Sequence, residues 1–183
     1  MVLAAGAGTR FTSGAEGPHK LLAPWRGRPL ACWAIEAAGE SGIGPVWVVD
    51  GAVELSGLVP ANTTVLHNPG WEEGQATSLQ VAIAAAREAG LEAVVVGLAD
   101  QPLVPPSSWS AVASSEAPIA IATYDGQRRN PVRLAAAVWD LLPTAGDEGA
   151  RSVARRRPEL VEEVPCEGDP TDIDTREDLA RWS

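Results

Sequence analysis

Cysteine is scarce in this chain, with two in 183 residues, Cys32 and Cys166, far apart in sequence. Such a pair makes neither a disulfide framework nor a zinc site. No run approaches the ~20 apolar residues of a membrane span. The opening Met1-Val2-Leu3-Ala4-Ala5-Gly6 has no basic segment and meets glycine too early for a secretory signal. The cytosol is therefore the expected compartment. Lysine occurs once, at Lys20, the other thirteen basic residues being arginine. Internal repeats and low-complexity linkers are missing as well.

What is present describes a folded domain. Hydrophobic residues make up 45% and charged residues 21%, which excludes wholesale disorder. A chain of this length buries about 70% of its unfolded surface, so no metal or disulfide staple is required, and residues 1–183 are expected to form one domain. The net charge of -10 and pI near 4.6 argue against broad nucleic-acid binding. The charge is unevenly placed. In residues 1–35, Arg10, Lys20, Arg26 and Arg28 face Glu16 alone, leaving +3 there and -13 elsewhere. A small positive region in an acidic protein can focus a small anion without attracting a polyanion, although short segments also carry a few charges by chance.

Short β-branched runs alternate with alanine-rich stretches of helical period, the pattern of an α/β domain. Strands are expected at Met1–Ala4, Pro45–Asp50, Thr63–Leu66, Ala93–Leu98, Ile119–Thr123 and Leu160–Val164. The first is short, which points to a native start upstream. Helices are expected at Arg28–Ser41, Gln75–Ala89, Leu134–Leu142, Gly149–Arg157 and Thr175–Trp182. The resulting architecture is one Rossmann-like, doubly wound, three-layer domain. Such a sheet binds ligands at the carboxyl ends of its parallel strands, here Ala5–Gly8, Asp50 and Asp100.

The first strand runs into Gly6-Ala7-Gly8-Thr9-Arg10, where small residues let backbone N–H groups approach an anion. Gly-x-Gly alone is equally a structural turn. A dinucleotide fingerprint would place glycine at Phe11 and an acid ~20 residues on. A P-loop would read Gly-Lys-Ser/Thr where this chain has Pro18-His19-Lys20-Leu21.

The pieces together carry a resemblance. Leu3-Ala4-Ala5-Gly6-x-Gly8-x-Arg10, Lys20-Leu21-Leu22 and Gly27-Arg28-Pro29-Leu30 resemble the MobA-like nucleoside-triphosphate transferases. Asn68-Pro69-Gly70-Trp71 with Gly74, Thr77, Ser78 and Leu79 is similar to that family's second block. Leu98-Ala99-Asp100-Gln101-Pro102 is similar to its metal-binding strand end. Asn130-Pro131-Val132, Gly146–Arg151 and Asp172-Ile173-Asp174-Thr175 resemble its molybdenum-cofactor cytidylyltransferase branch. The motifs fall in order over nearly the whole chain.

The resemblance implies a nucleotide-diphospho-sugar-transferase-like fold with a mostly parallel, mixed sheet. It implies transfer of a nucleoside monophosphate from an NTP to the terminal phosphate of molybdopterin, releasing pyrophosphate. Leu3, Ala4, Ala5, Gly6 and Gly8 would face the base and phosphates, with Asn68 and Ser78 also on the nucleotide. Arg10 and Lys20 would hold the triphosphate, the one as a fork and the other as a point charge. Asp100 would bind Mg²⁺ with a second carboxylate, Asp174 first and Asp172 next. Trp71, Gln101, Asn130 and Arg151 would contact the acceptor. No protein nucleophile is needed, in keeping with the absence of a Gly-x-Ser-x-Gly elbow or Cys–His pairing motif. A molybdoenzyme or its chaperone would receive the product.

Ala5 stands where the guanylyl branch has glycine; its methyl group narrows the base site and favours CTP over GTP. The alternatives are guanylyl transfer, cytidylyl transfer to a sugar-alcohol phosphate such as methylerythritol phosphate, and a non-catalytic cofactor-binding module. Plainer readings stand beside these roles: Asp100 as a helix cap, Lys20 as a surface lysine, Asp172 and Asp174 as acids before a helix. His19 and His67 read as incidental, the tryptophans as packing, and Arg155–Arg157 as a solvated helix end. Two departures from the family pattern are the nine residues Phe11–His19 between Arg10 and Lys20, a longer loop than usual, and Arg176 where proline is common.

Overall fold

The computed structural model describes residues 1–12 and 17–182. The chain runs β1 (Val2–Leu3), α1 (Thr9–Thr12), a 3-10 turn (Lys20–Leu22), β2 (Pro24–Trp25), β3 (Arg28–Pro29), α2 (Leu30–Glu40), β4 (Trp47–Asp50) and β5 (Thr64–His67). A 3-10 turn (Trp71–Glu73) leads into α3 (Gln75–Glu88), β6 (Ala93–Leu98), α4 (Pro106–Ala113), β7 (Ile119–Tyr124) and β8 (Gln127–Ala135). The last third holds a 3-10 stretch (Ala136–Leu141), α5 (Ala150–Arg156), β9 (Val161–Pro165) and α6 (Arg176–Arg181).

Seven strands form one sheet in the order β5-β4-β1-β6-β8-β7-β9. All neighbours pair in parallel except β8, which is antiparallel to both β6 and β7. The chain moves outward from β1 through β4 to β5, then returns to place β6 on the other side of β1. That reversal is the switch point at which doubly wound sheets open a crevice. It puts the loop after β1 between the carboxyl ends of β4 and β6.

Alternation along the strands sends side chains to two cores. Val2, Val48 and Val95 pack with Ala34, Ile35 and Trp109 on the side of α2 and α4. Leu3, Val49 and Val96 pack with Leu79, Ile83 and Val153 on the side of α3 and α5. Because both faces are covered, the apolar run of β6 is buried from Val94 to Gly97. Gly97 lies flat beneath Trp109; a Cβ there would stand 2.6 Å from the indole Cζ2. A third cluster joins Trp25 and Leu30 to Ile173, anchoring the C-terminal segment beside the switch point.

Two expectations change, and one helix was missed. Leu134–Leu142 is not a helix: Leu134 and Ala135 end the long strand β8, and only Ala136–Leu141 coils, as 3-10. Pro131 and three arginines disguised that strand. The proline falls where the β7–β8 register shifts, between the pairs Ala122↔Arg129 and Ile121↔Val132. The helix foreseen from Arg28 begins at Leu30, because Trp25 and Arg28 pair across a two-residue turn whose residues, Arg26 and Gly27, both have positive φ. Helix α4, opening on Pro106, went unread in the sequence.

Candidate active site

Lys20 reaches the site through a local cap. His19 Nδ1 accepts a hydrogen bond from the Leu21 N–H at 3.2 Å, closing the 3-10 turn. Its other ring nitrogen then carries the proton and donates to the Gly6 carbonyl at 3.0 Å. Burial lowers the imidazole pKa, favouring this neutral tautomer. His19 is therefore not incidental: it ties the glycine-rich loop to the lysine turn. Of the loop Phe11–His19, residues 13–16 lie outside the described residues.

The Lys20 side chain is nearly buried and ends between two carboxylates, 2.8 Å from Asp100 Oδ2 and 2.9 Å from Asp174 Oδ1. Burial works to lower its pKa, but Asp100 and Asp174 outweigh burial and hold it above the ordinary lysine value. Arg10, on α1 and 76% exposed, closes the cluster from outside, with Nη1 2.7 Å from Asp174 Oδ2. The far-apart residues meet because the Asp100 carbonyl accepts from the Ile173 N–H at 2.9 Å, laying 172–174 beside the end of β6. Ile173 is fully buried. The flanking Asp174 turns to Lys20, while Asp172 accepts from Gln101 Nε2 at 2.9 Å. A capping box fixes the next turn: Thr175 and Asp178 bond reciprocally, and Asp178 Oδ2 also accepts from the Asp174 N–H.

Among the described residues, Asp100 Oδ1 is buried without a hydrogen-bond partner. Burial raises the Asp172 pKa, and the negative charge of Asp100 raises it further. Both oxygens of Asp174, by contrast, face cations. The positive N-terminal region foreseen in the sequence is largely neutralised in the fold, since Arg28 pairs with Glu36 in addition to these contacts. Among the described residues no three His, Cys, Asp or Glu side chains stand together as a metal cage.

The other sequence-derived residues divide. Asn68 and Ser78 are buried and satisfied internally: Asn68 Nδ2 donates to Thr77 and Ser78 hydroxyls at 2.9 Å, and Oδ1 accepts from Gly70 N–H. Gln101 is also buried, its amide donating to Asp172 and to the Pro170 carbonyl, so it orients a carboxylate instead of facing open space. Trp71 packs over Gly51. A Cβ on Gly51 would stand 2.7 Å from Trp71 Cβ and 2.9 Å from Ala5 Cβ, so a side chain there would collide with both. Leu3 points to the α3 side and floors a cavity of about 230 Å³ whose rim includes Asn130 and Arg151. Arg10, Asp172 and Asp174 line a second, open hollow of about 570 Å³. His67 pairs with buried Asp50 at 2.9 Å, and is thus also engaged.

Residues 1–162 match the model of the MobA-like NTP transferase domain. The chain belongs to that family. Within it, the chain is 31% identical over 197 residues to nicotine blue oxidoreductase of Paenarthrobacter nicotinovorans, covering 99% of this chain and 94% of the relative. Among solved structures it is similar to Rv0371c of Mycobacterium tuberculosis H37Rv, at 25% identity and TM-score 0.82 over 98% of this chain and 94% of the other. Rv0371c has also been solved as a manganese complex, at 24% identity and TM-score 0.73 over 99% and 95% of the two chains. The inositol-1-phosphate CTP transferase of T. maritima shares the fold, with 16% identity and TM-score 0.74 over 99% and 94%. The motif segments of this MobA-like chain thus converge on one sheet edge. Sequence reading missed His19, Ile173 and Asp178. The signals were present: a histidine next to the sole lysine, an isoleucine between two aspartates, and a Thr-x-x-Asp box.

Proposed function

We propose that this MobA-like nucleotidyltransferase moves CMP, in preference to GMP, from its triphosphate to the terminal phosphate of molybdopterin. The observation that carries this reading is the single lysine held between Asp100 and Asp174 at the switch point, with Arg10 on the same carboxylate. An acceptor phosphate oxygen attacks the α-phosphorus and forms the new P–O bond. The bond to the β-phosphate oxygen breaks, and its electron pair leaves with pyrophosphate. Lys20 has three N–H donors and two carboxylate partners, so one donor remains for a phosphate oxygen. Arg10 is exposed and supplies a fork to the outer phosphates.

Two cations set against Asp100 and Asp174, with Asp172 alongside, leave the cluster without positive surplus. A triphosphate therefore needs further cationic charge. The donor set suits a hard divalent ion such as Mg²⁺, which takes one or two carboxylates and completes its shell with phosphate and water. Asp100, through its unpartnered Oδ1, and Asp172 would hold it directly, whereas Asp174 would first release Lys20 and Arg10. When bound, the ion would neutralise charge developing on the phosphates. The preference for CTP rests on Ala5, whose methyl lies close to Gly51 and would narrow the wall beside the glycine-rich loop.

The test is pyrophosphate release from each NTP with Mg²⁺ and molybdopterin. CTP is expected to give the fastest release; no release with any NTP contradicts the reading. The 31% identical relative, by its name, suggests a second one, an oxidoreduction of nicotine blue. A protein-dependent change in the nicotine blue spectrum with an added electron donor, and no pyrophosphate from any NTP, would select it.

A further inference from the structure

Four arginines line the 230 Å³ cavity: Arg128, Arg129, Arg151 and Arg155. Two are neutralised. Arg128 pairs with Glu163 at 2.7 Å and Arg155 with Glu148 at 2.6 Å. Arg129 is held differently, donating to the Arg128 carbonyl at 3.1 Å and to the neutral Gln127 amide oxygen at 2.8 Å. Among the described residues no carboxylate pairs with this exposed guanidinium, so its charge is not cancelled.

Its place in the fold is distinctive. The final β6–β8 pair is Val96↔Val132, so residues 127–129 pair with β7 alone and extend past the end of β6. The register shift between Ile121 and Ala122 falls beside Arg129. Shifts of this kind re-aim side chains next to binding sites. As a result Arg129 lines both the apolar cavity and the hollow containing Arg10, Asp172 and Asp174. It is the residue shared by the two.

We propose that Arg129 binds the terminal phosphate of the acceptor at the junction of the two cavities, with the acceptor's body in the apolar one. This rests on the nucleotidyltransferase reading and adds a chemical class to it. The cavity floor is aliphatic, formed by Leu3, Leu79, Val96, Ile121, Val132 and Leu134. Hydroxyls of a polyol set against that aliphatic floor would lose water and gain no partner from it. A flat or apolar body would bury surface favourably. The acceptor class is thus a phosphomonoester on a fused ring system that can lay one flat face on that floor, and polyol phosphates are disfavoured. At the junction, the guanidinium offsets the repulsion between the acceptor phosphate and the nucleotide tail and offers a fork to its oxygens.

The experiment is calorimetric titration of the full chain with 1-naphthyl phosphate and with inositol 1-phosphate, first alone and then with Mg²⁺ and a non-hydrolysable CTP analogue. The naphthyl ester is expected to bind about tenfold more tightly than the inositol ester, and Arg129→Gln to weaken the naphthyl ester about ten- to hundredfold. Arg129→Lys should restore part of that loss, and in Arg129→Gln the CTP-analogue affinity should fall less than the naphthyl-ester affinity. Equal affinities for the two esters, an unaffected Arg129→Gln variant, or mutual exclusion of ester and CTP analogue each overturn the proposal. The ester titrations without nucleotide report on Arg129 separately from the nucleotide reading. Failure of the CTP analogue to bind would strike that reading instead.

Discussion

At the residue scale the proposed chemistry concentrates on Lys20. Two carboxylates around one ammonium form a nearly buried arrangement in which removing the lysine leaves carboxylate charge uncompensated, whereas losing one carboxylate leaves the lysine paired with the other. Lys20→Ala is expected to raise the KM for the nucleotide triphosphate at least tenfold, an effect of about 1.5–3 kcal/mol for a charged hydrogen bond. Steady-state kinetics with varied nucleotide check this; a change confined to the acceptor would reassign the residue. Asp100→Asn removes one charge while keeping the shape, and should lower kcat by about two orders of magnitude with an unchanged circular-dichroism melt. Tyr124, which lines the hollow beside the cluster, offers a pH reading, since it is the chain's sole tyrosine. Burial pushes its pKa up to about 12. The folded state thus favours the protonated phenol: that contribution to stability is complete below the ordinary value of ~10 and is lost as pH rises through about 12. Spectrophotometric titration should show no tyrosinate near pH 10 in the folded protein.

At the scale of elements, the short segment 170–178 decides whether the second carboxylate is present. Ile173 is its anchor, sealed against Trp25 and Leu30. Ile173→Ala should cost about 2–5 kcal/mol of stability, and should also reduce turnover by loosening Asp172 and Asp174. Thr175→Ala removes half of the capping box and should cost about 1 kcal/mol, a drop in Tm of ~2–4 °C. Differential scanning calorimetry beside activity measurements checks both. Legibility in the sequence followed the same boundaries. Strands buried on both faces, such as Ala93–Leu98, were readable as continuous apolar runs, and β6 has those bounds. Strand β8 was not, because its exposed first half carries Gln127, Arg128 and Arg129, and Pro131 sits at the register shift. Charge and proline mimic a loop when the strand leaves the sheet to serve a cavity.

At the scale of the molecule, the site exists because the strand order reverses at β1, bringing residues 10, 20, 100 and 174 to one edge. Motif order pointed to those residues. It could not show that Asn68, Ser78 and Gln101 are turned inward, because side-chain direction depends on packing between distant segments. Nor could local charge counting foresee that the N-terminal cations meet carboxylates folded back from beyond residue 99. On the proposed reading, the same compensation predicts that CTP binding requires added divalent charge. The direct measurement is calorimetric titration of CTP into the wild-type chain and Asp100→Asn, with Mg²⁺ and with EDTA. Tight binding by the wild type in Mg²⁺, lost on chelation and in Asp100→Asn, is the predicted result. CTP binding of equal strength in all four conditions would contradict the assignment of this cluster as the triphosphate site.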